Sequence, residues 1–380
     1  MRFSRPSTAR QVNRLRVLNL LALREELSRA DVARILGLNK VSTSEIVDAL
    51  IEEKLVAEGS TKATTTTGRP PTLLELQKDR LTIFAVDLES TNTSVALVNM
   101  MGEMLRYERF PTPKQPKPEE IAASIIQTVK KFLSRMRDPE SVTGMVITLN
   151  ATVETATGTI VSAPQWGWHN VPFVFALSKH LPFKVVIENS TKALIFGERW
   201  FGNLESASSY YYLNWGETLT GAFFSEGKVN VESLIGHIPM GGNKRCRCGA
   251  LGCLETLSGG WALLEEFPET TSLRQLISLR KAKEELKVAS SYIAKGLIYV
   301  ATILNPQKIL IGGPLSGIPE ELFNSIQEQF DKNISPLLTN TEIIKSALGE
   351  QSGVLGAASI GLDEFIFRRS LLEQIKTAFR

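Results

Sequence analysis

The sequence predicts an α/β protein in which a small winged helix-turn-helix precedes a larger body of two α/β lobes. The chain has 380 residues, which is too long for one ordinary domain and enough for two or three. After residue 81, buried-strand patterns alternate with helical patterns, which favours the α/β class. Before residue 77, three short helical patterns precede two strands. We therefore expect domains at 1–76, 77–198 and 199–380, with the last helix returning to the first lobe.

Positive charge is concentrated at the N-terminus. Residues 1–44 contain nine Lys or Arg and three Asp or Glu, a surplus of six, whereas the whole chain has a net charge of only +3. A basic block in a near-neutral protein suggests contact with a polyanion, although a solvated helical face gives the same composition. Sequence motifs are needed to distinguish polyanion binding from a solvated helical face.

Membrane insertion and secretion are not expected. No apolar run approaches the ~20 residues of a membrane span, and residues 1–6 lack the hydrophobic segment of a signal peptide. We expect a cytoplasmic protein without a membrane partner.

The N-terminal module begins with two predicted helices. Apolar residues recur at helical spacing over Gln11–Arg24. Ser28 is suited to cap the next helix, with Asp31 completing a capping box, and Gly37 ends that helix. The short turn after Gly37 leads into a further helix, as a helix-turn-helix requires.

The third predicted helix, from about Lys40 to Glu53, has the position of a recognition helix. Its expected inner face consists of Thr43, Ile46, Val47 and Leu50. Four residues near its start are expected to point outward, where such a helix meets base edges in the major groove. These candidate DNA contacts are Lys40, Ser42, Ser44 and Glu45.

Two short strands, Leu55–Glu58 and Thr72–Leu76, are predicted to flank a polar loop. This is the pattern of a wing, and Arg69 at the end of the loop is a further candidate DNA contact. A helical protein-interaction bundle remains an alternative for the helices alone, but the wing and the basic surplus favour DNA.

The module resembles the DNA-binding module of the ROK family (repressor, open reading frame, kinase). The resemblance rests on 27–38 and 46–50, and 68–70 resembles the family's junction between wing and sugar domain. It implies double-stranded operator DNA and a small sugar effector as partners, and we expect a homodimer or tetramer. Glu45 stands where a basic residue is common in the family, and its carboxylate could accept from a cytosine amino group.

The body opens with strands predicted at Thr82–Leu88, Val95–Val98 and Glu103–Tyr107. A helix from Pro118 to Arg135 and a strand from Gly144 to Leu149 follow. This order resembles the first lobe of the actin-like ATPase fold, which ROK sugar kinases share. A second set of elements begins near Tyr210 and includes a strand at 308–313, so we expect two lobes with a cleft between them.

All three cysteines lie in one eight-residue segment, which is the strongest chemical signal in the chain. With His237, the residues Cys246, Cys248 and Cys253 form a Cys₃His set, which Zn²⁺ binds tetrahedrally in closed structural sites. Free buried cysteines are the alternative interpretation. A four-ligand ion has no open position to activate water, so the predicted role of zinc is structural.

The segments 235–239 and 246–255 also resemble the ROK signature. By this resemblance Asn189, His237 and Glu255 contact the bound sugar, and His237 serves both metal and sugar. Leu234 and Ser190 depart from the family, which places carboxylates at both positions, so the sugar's identity stays open. Trp166 and Trp168 fit either core packing or stacking on a sugar.

Phosphotransfer requires glycine-rich phosphate turns and a carboxylate that accepts the proton of the sugar hydroxyl. Glu89 and Ser90 replace the two glycines of the first family turn, and Glu217 adds a charge to the second. Ser190 occupies the place of the general-base Asp. We therefore expect no catalytic residue and no kinase activity.

The sequence as a whole predicts a sugar-controlled transcription factor, most simply a repressor of carbohydrate-utilisation genes. Two alternatives stay open at this point. One is an ATP-dependent hexose or N-acetylhexosamine kinase with an accessory domain, and the other is a protein-binding scaffold.

Overall fold

The computed structural model describes residues 6–61, 71–202, 204, 207–226, 228–270, 272–338, 341–369 and 372. The chain divides into two compact units. The first comprises 1–188 together with 357–380, and the second comprises 189–356. The predicted domain limits at residues 76 and 198 stay predictions.

The N-terminal part of the first unit is a helix-turn-helix with a small antiparallel sheet. Its elements are α1 (Pro6–Leu23), β1 (Leu27–Ser28), α2 (Arg29–Leu36), α3 (Lys40–Glu52), β2 (Val56–Thr61) and β3 (Thr72–Leu76). The strand order is β1-β3-β2. Helix α1 begins before the predicted Gln11, and the two-residue β1, which the sequence analysis missed, pairs with β3.

Local capping explains where α2 begins and ends. The Ser28 hydroxyl accepts from the Asp31 amide, and the Asp31 carboxylate accepts from the Ser28 amide, so the predicted capping box is present. Gly37 ends the helix in the left-handed region, with φ of 65°. The predicted inner face of α3 is buried throughout: Thr43, Ile46, Val47 and Leu50.

The remainder of the first unit is built on a five-stranded sheet of order β11-β7-β4-β5-β6. The elements are β4 (Thr82–Leu88), β5 (Asn92–Asn99), β6 (Met104–Pro111), α4 (Pro118–Leu133), β7 (Val142–Leu149), β8 (Thr152–Glu154), β9 (Thr159–Ala163), β10 (Trp168–Val171), α5 (Phe173–Ser178) and β11 (Lys184–Asn189). Strands β4, β5 and β6 form an antiparallel meander, and β7 adds in parallel to β4. All of β4 is buried, including Asp87, and the apolar run at 83–86 predicts the burial of its centre.

The second unit repeats this topology, with the order β14-β13-β12-β15-β16. Its elements are α6 (Ser190–Phe201), β12 (Ser209–Trp215), β13 (Leu219–Ser225), β14 (Lys228–Ser233), α7 (Glu255–Ser258), α8 (Gly260–Glu266), α9 (Leu273–Ser278), α10 (Lys283–Leu304), β15 (Lys308–Gly312), α11 (Glu320–Asn333) and β16 (Glu342–Lys345). Again three antiparallel strands are extended by parallel ones. Two sheets of the same topology are the expected signature of the actin-like fold.

Helix α12 (Ser352–Leu362) is followed by a π-helical turn, Asp363–Phe367. Within the first unit, the Phe365 ring lies so close to Gly144 of β7 that a Cβ there would be 2.5 Å from the ring. Gly144 therefore leaves the space that this turn requires on the sheet.

By length and composition, one helical stretch among the described residues, Arg280–Leu304, is apolar enough to cross a membrane. Half of its apolar window is buried within the protein. Several of its residues, including Leu286, Ile293 and Leu297, belong to the main core of the second unit. This is the behaviour of a core helix.

Candidate functional site

The four predicted metal ligands come together in the second unit. One ligand atom from each of His237, Cys246, Cys248 and Cys253 lies within 4.8 Å of the others. His237 ends a 3₁₀ turn, Ile235–His237, that follows β14, and the cysteines lie on the loop before α7. Gly249, with φ of 96°, provides a left-handed turn inside this loop.

The donor atoms fit a tetrahedral zinc ion. The distance from Cys246 Sγ to His237 Nδ1 is 3.6 Å, and Cys248 Sγ lies 3.7 Å from Cys253 Sγ. With metal–sulfur bonds of ~2.3 Å, the edges of a tetrahedron are ~3.8 Å, close to both distances. A disulfide has an S–S length of ~2.05 Å, so these cysteines are free thiols.

The surroundings of the thiols set how readily they ionise. Burial, followed by the neighbouring thiols, raises the pKa of Cys253 to about 12, and burial also raises the pKa of Cys246. The backbone amide of Ala250 lowers the pKa of the more exposed Cys248. A metal ion must displace protons from the two buried thiols, so metal binding releases protons.

Glu255, a predicted sugar contact, is buried and bonded within the second unit. Its Oε1 accepts from the Trp261 indole at 2.9 Å, and its Oε2 accepts from the Leu219 amide at 2.8 Å. A Cβ at Gly236, next to His237, would lie 2.9 Å from Glu255 Oε2, so the two predicted sugar residues share a neighbourhood. Any sugar hydroxyl must bind a lone pair that these two bonds leave available.

Asn189, also a predicted sugar contact, is the N-cap of α6. Its Oδ1 accepts from the Thr191 amide at 2.7 Å and the Lys192 amide at 3.4 Å. Ser190, at the predicted general-base position, is the half-buried first residue of that helix. The sugar-binding role of Asn189 stays a prediction.

The first phosphate turn of the family is a tight hairpin turn between β4 and β5. The Glu89 amide donates to the Asn92 carbonyl at 3.0 Å, and the Glu89 carboxylate lies 3.6 Å from Arg109. Burial, followed by the charge of Glu89, raises the pKa of Asp87 to about 8. An amide bonded to a carbonyl is not available to a phosphate, and Glu89 adds negative charge at the turn.

The second turn, between β12 and β13, is closed by a bond from the Gly216 amide to the Thr218 carbonyl at 3.3 Å and is held to the start of α8. The amides of Gly260 and Trp261 donate to the carbonyls of Gly216 and Glu217, at 2.9 and 3.0 Å. The Glu217 carboxylate lies 3.1 Å from Arg247, on the metal loop between two cysteines. The metal loop and the altered turn are therefore in direct contact.

Three further residues of the predicted sugar site differ in their burial. Trp166 and Trp168 lie in the core of the first unit with ring centroids 4.7 Å apart, and the Trp168 indole donates to the Pro116 carbonyl. Core packing therefore describes both residues better than stacking on a sugar. Leu234 is 74% exposed in the second unit, where the family places a carboxylate.

The predicted DNA contacts are only partly exposed. Lys40 and Glu45 are exposed at the start of α3, and Ser42 and Ser44 are half-buried, so all four keep some access to solvent and their DNA contacts stay predictions. Arg69 lies outside the described residues. Val41, which was not among the predicted contacts, is also exposed, as its position outside the inner stripe of α3 indicates.

Hydrogen bonds join the N-terminal module to the rest of the first unit. Buried Asn19 on α1 donates to the Phe367 carbonyl at 2.8 Å and accepts from Arg369 Nε at 2.9 Å. Arg80 donates to the Glu53 carbonyl, after α3, and binds Asp138 at 2.9 Å. No local sequence signal marks Asn19, because its partners lie about 350 positions away.

A helix-turn-helix with a small antiparallel sheet, attached to a sugar-kinase-like fold with an internal Cys₃His cluster, defines the class of this protein. The ROK family profile matches residues 83–364, and the chain belongs to the ROK family. The family and fold predictions are therefore confirmed.

Relatives of the chain include regulators and kinases. The xylose repressor of Caldicellulosiruptor bescii is 25% identical over 391 residues, covering 94% of this chain and 97% of the repressor. The glucokinase of Thermotoga maritima is 26% identical over 312 residues, covering 74% of this chain and 97% of the kinase. The kinase match thus leaves about a quarter of the chain uncovered.

A crystal structure of a ROK family transcriptional regulator, described as a homologue of Escherichia coli Mlc, has the same fold. It matches with a TM-score of 0.79 at 21% identity and covers 96% of this chain and 99% of its own.

Proposed function

We propose that this chain is a DNA-binding transcriptional regulator, most simply a repressor of carbohydrate-utilisation genes, controlled by a sugar bound to its kinase-like domain. The observation that carries the proposal is the N-terminal winged helix-turn-helix. Similarity to a xylose repressor over 94% of this chain supports it, whereas the match to a glucokinase covers 97% of the kinase but only 74% of this chain.

The charges around α3 support DNA binding. Arg29 lies 2.6 Å from Asp48 and 2.9 Å from Glu58, so two carboxylates beside the recognition helix are paired with a guanidinium. Lys40 stays exposed at the helix start. The N-terminus of a helix carries a partial positive charge, which also favours phosphate.

The two altered turns support a regulatory role for the kinase-like domain. Each turn carries a carboxylate paired with an arginine, Glu89 with Arg109 and Glu217 with Arg247. The amides of Glu89 and Gly216 donate to carbonyls of their own turns, so neither is available to a phosphate. Ser190 has no carboxylate to act as general base. A sugar can still bind through Asn189, His237 or Glu255, and D-xylose is the first sugar to test.

Zinc has a structural role in this proposal. Cys248 and Cys253 with Cys246 and His237 would hold the ion, which would fix the loop that leads from His237 to Glu255. When bound, the ion supplies a rigid cross-link, since four protein ligands leave no position for a reacting water. A homodimer binding an inverted repeat completes the proposal.

Binding to DNA from the region upstream of the protein's own gene tests the proposal. We expect fluorescence anisotropy to show tighter binding to one such fragment than to a shuffled duplex at each of several salt concentrations. A matching sugar should weaken that binding. Equal affinity for both duplexes at every salt concentration would remove the regulator hypothesis.

The second candidate function is an ATP-dependent sugar kinase, which the similarity to a glucokinase favours. A coupled assay with ATP and a panel of hexoses, pentoses and N-acetylhexosamines separates the two. We expect no turnover from wild type and none from Ser190→Asp, because both carboxylates remain in the turns. Turnover near the ~10 s⁻¹ typical of enzymes would establish the kinase instead.

A further inference from the structure

The start of α3 exposes a large apolar side chain among polar neighbours. Val41, the second residue of the helix, is 71% exposed. It contributes little to the core of the module, whose α3 contacts come from the buried stripe at 43, 46, 47 and 50. Valine also has a lower helix propensity than alanine, so this residue neither fills the core nor favours the helix.

The backbone beneath Val41 is fixed by two hydrogen bonds. Asn39 Oδ1 accepts from the Ser42 amide at 2.7 Å, and Thr43 Oγ1 donates to the Asn39 carbonyl at 2.9 Å. In a helix a valine has one strongly preferred χ1 rotamer. The two methyl groups of Val41 therefore have a defined direction, and contact with a ligand costs little side-chain entropy.

The charges on the same helix face favour a nucleic acid as the ligand. Lys40 precedes Val41, and Asp48, seven residues after Val41, is paired with Arg29. Glu45, one turn after Val41, keeps an exposed carboxylate. An apolar group flanked by one cation and one hydrogen-bond acceptor matches the edge of a base pair better than a uniform phosphate surface.

In the major groove, the apolar group that a protein can read is the 5-methyl of thymine. Recognition helices place their N-terminal residues against base edges. We propose that Val41 contacts a thymine methyl group in the operator and thereby selects thymine at one position of each half-site. Glu45, about one helical turn away, then reaches the amino group of a cytosine in a nearby base pair. This inference rests on the proposed DNA-binding function.

Replacing each thymine of the bound fragment by uracil, one position at a time, tests the contact because only the methyl group is removed. We expect wild-type affinity to fall about 4-fold at one position in a half-site, the equivalent of burying one methyl group. Val41→Ala should bind the unmodified operator less tightly and lose its response to uracil at that position. Val288→Ala, at a half-exposed valine on α10, is the matched control and should keep the wild-type profile.

Each result of this experiment has a defined meaning. Val41→Ala should fold normally, because the side chain is exposed and alanine favours helix. A uracil profile of Val41→Ala identical to that of wild type, or no thymine position sensitive to uracil in wild type, would overturn the contact while leaving a DNA-binding regulator. Absence of any sequence preference in wild type would overturn both the contact and the proposed function.

Discussion

Replacing Asn19 by leucine should both destabilise the first unit and disconnect the DNA-binding module from the rest of that unit. Asn19 is 7% exposed. Its amide bridges α1 to the segment after α12, donating to the Phe367 carbonyl and accepting from Arg369. Leucine has a similar volume but cannot make either bond, so the change removes polar contacts and leaves little cavity.

The magnitude follows from the two contacts that are lost. A buried group that loses its hydrogen-bond partner costs ~1–3 kcal/mol, and a bond to a charged group lies toward the upper end. We expect Asn19→Leu to lower the free energy of unfolding by about 2–4 kcal/mol. We also expect a smaller effect of sugar on operator affinity, because the bridge links α1 to a turn that packs on β7.

Urea unfolding gives the stability, and operator titrations with and without sugar give the coupling. Asn13→Leu is the matched control, since Asn13 lies on the same helix and accepts from Arg16 within it. It should change stability by less than ~1 kcal/mol. If Asn19→Leu unfolds at the wild-type urea concentration and keeps the wild-type sugar effect, the bridge does not connect the module to the rest of the unit.

Two further changes test the site. Burial raises the pKa of Asp87 to about 8 in the folded protein, so the free energy of unfolding falls as the pH rises from ~4 to 8. Asp87→Asn removes this titration. The variant should be more stable than wild type at pH 8 by ~1 kcal/mol or more, and its stability should depend less on pH. Thermal unfolding at pH 5 and pH 8 checks this, and an unchanged pH dependence would contradict it. We expect one zinc ion per chain in wild type, and Cys248→Ser should lose it. The variant should also show a smaller effect of sugar on operator affinity. Elemental analysis measures the zinc and an operator titration measures the sugar effect; a full zinc complement in the variant would contradict the Cys₃His site.

Local signals predicted much of the fold. The Ser28 capping box, the buried stripe of α3 and the limits of β4 all follow from short-range chemistry, and the structure contains each of them. The metal cluster was also predictable, because its three cysteines lie within eight residues and their spacing limits what they can bind.

Contacts between distant segments were not predictable from the sequence. The bond between Asn19 and Phe367 depends on how α1 meets the segment after α12, and no local pattern encodes it. The same limit applies to the bond from the Leu219 amide to Glu255, which joins residues 36 positions apart. Ser42 was predicted to point outward because it lies outside the buried stripe of α3; it is half-buried, and its contact with DNA stays a prediction.

The central claim is that bound sugar weakens the affinity of this protein for operator DNA, and bound operator weakens its affinity for the sugar. Thermodynamic linkage tests this claim most directly. Isothermal titration should give the affinity for the effector sugar with and without saturating operator DNA, and anisotropy should give the affinity for operator with and without the sugar. Because coupling is reciprocal, the two affinities should change by the same factor, typically 5–150-fold. An effector affinity that is identical with and without operator, for every sugar that binds, would contradict the account.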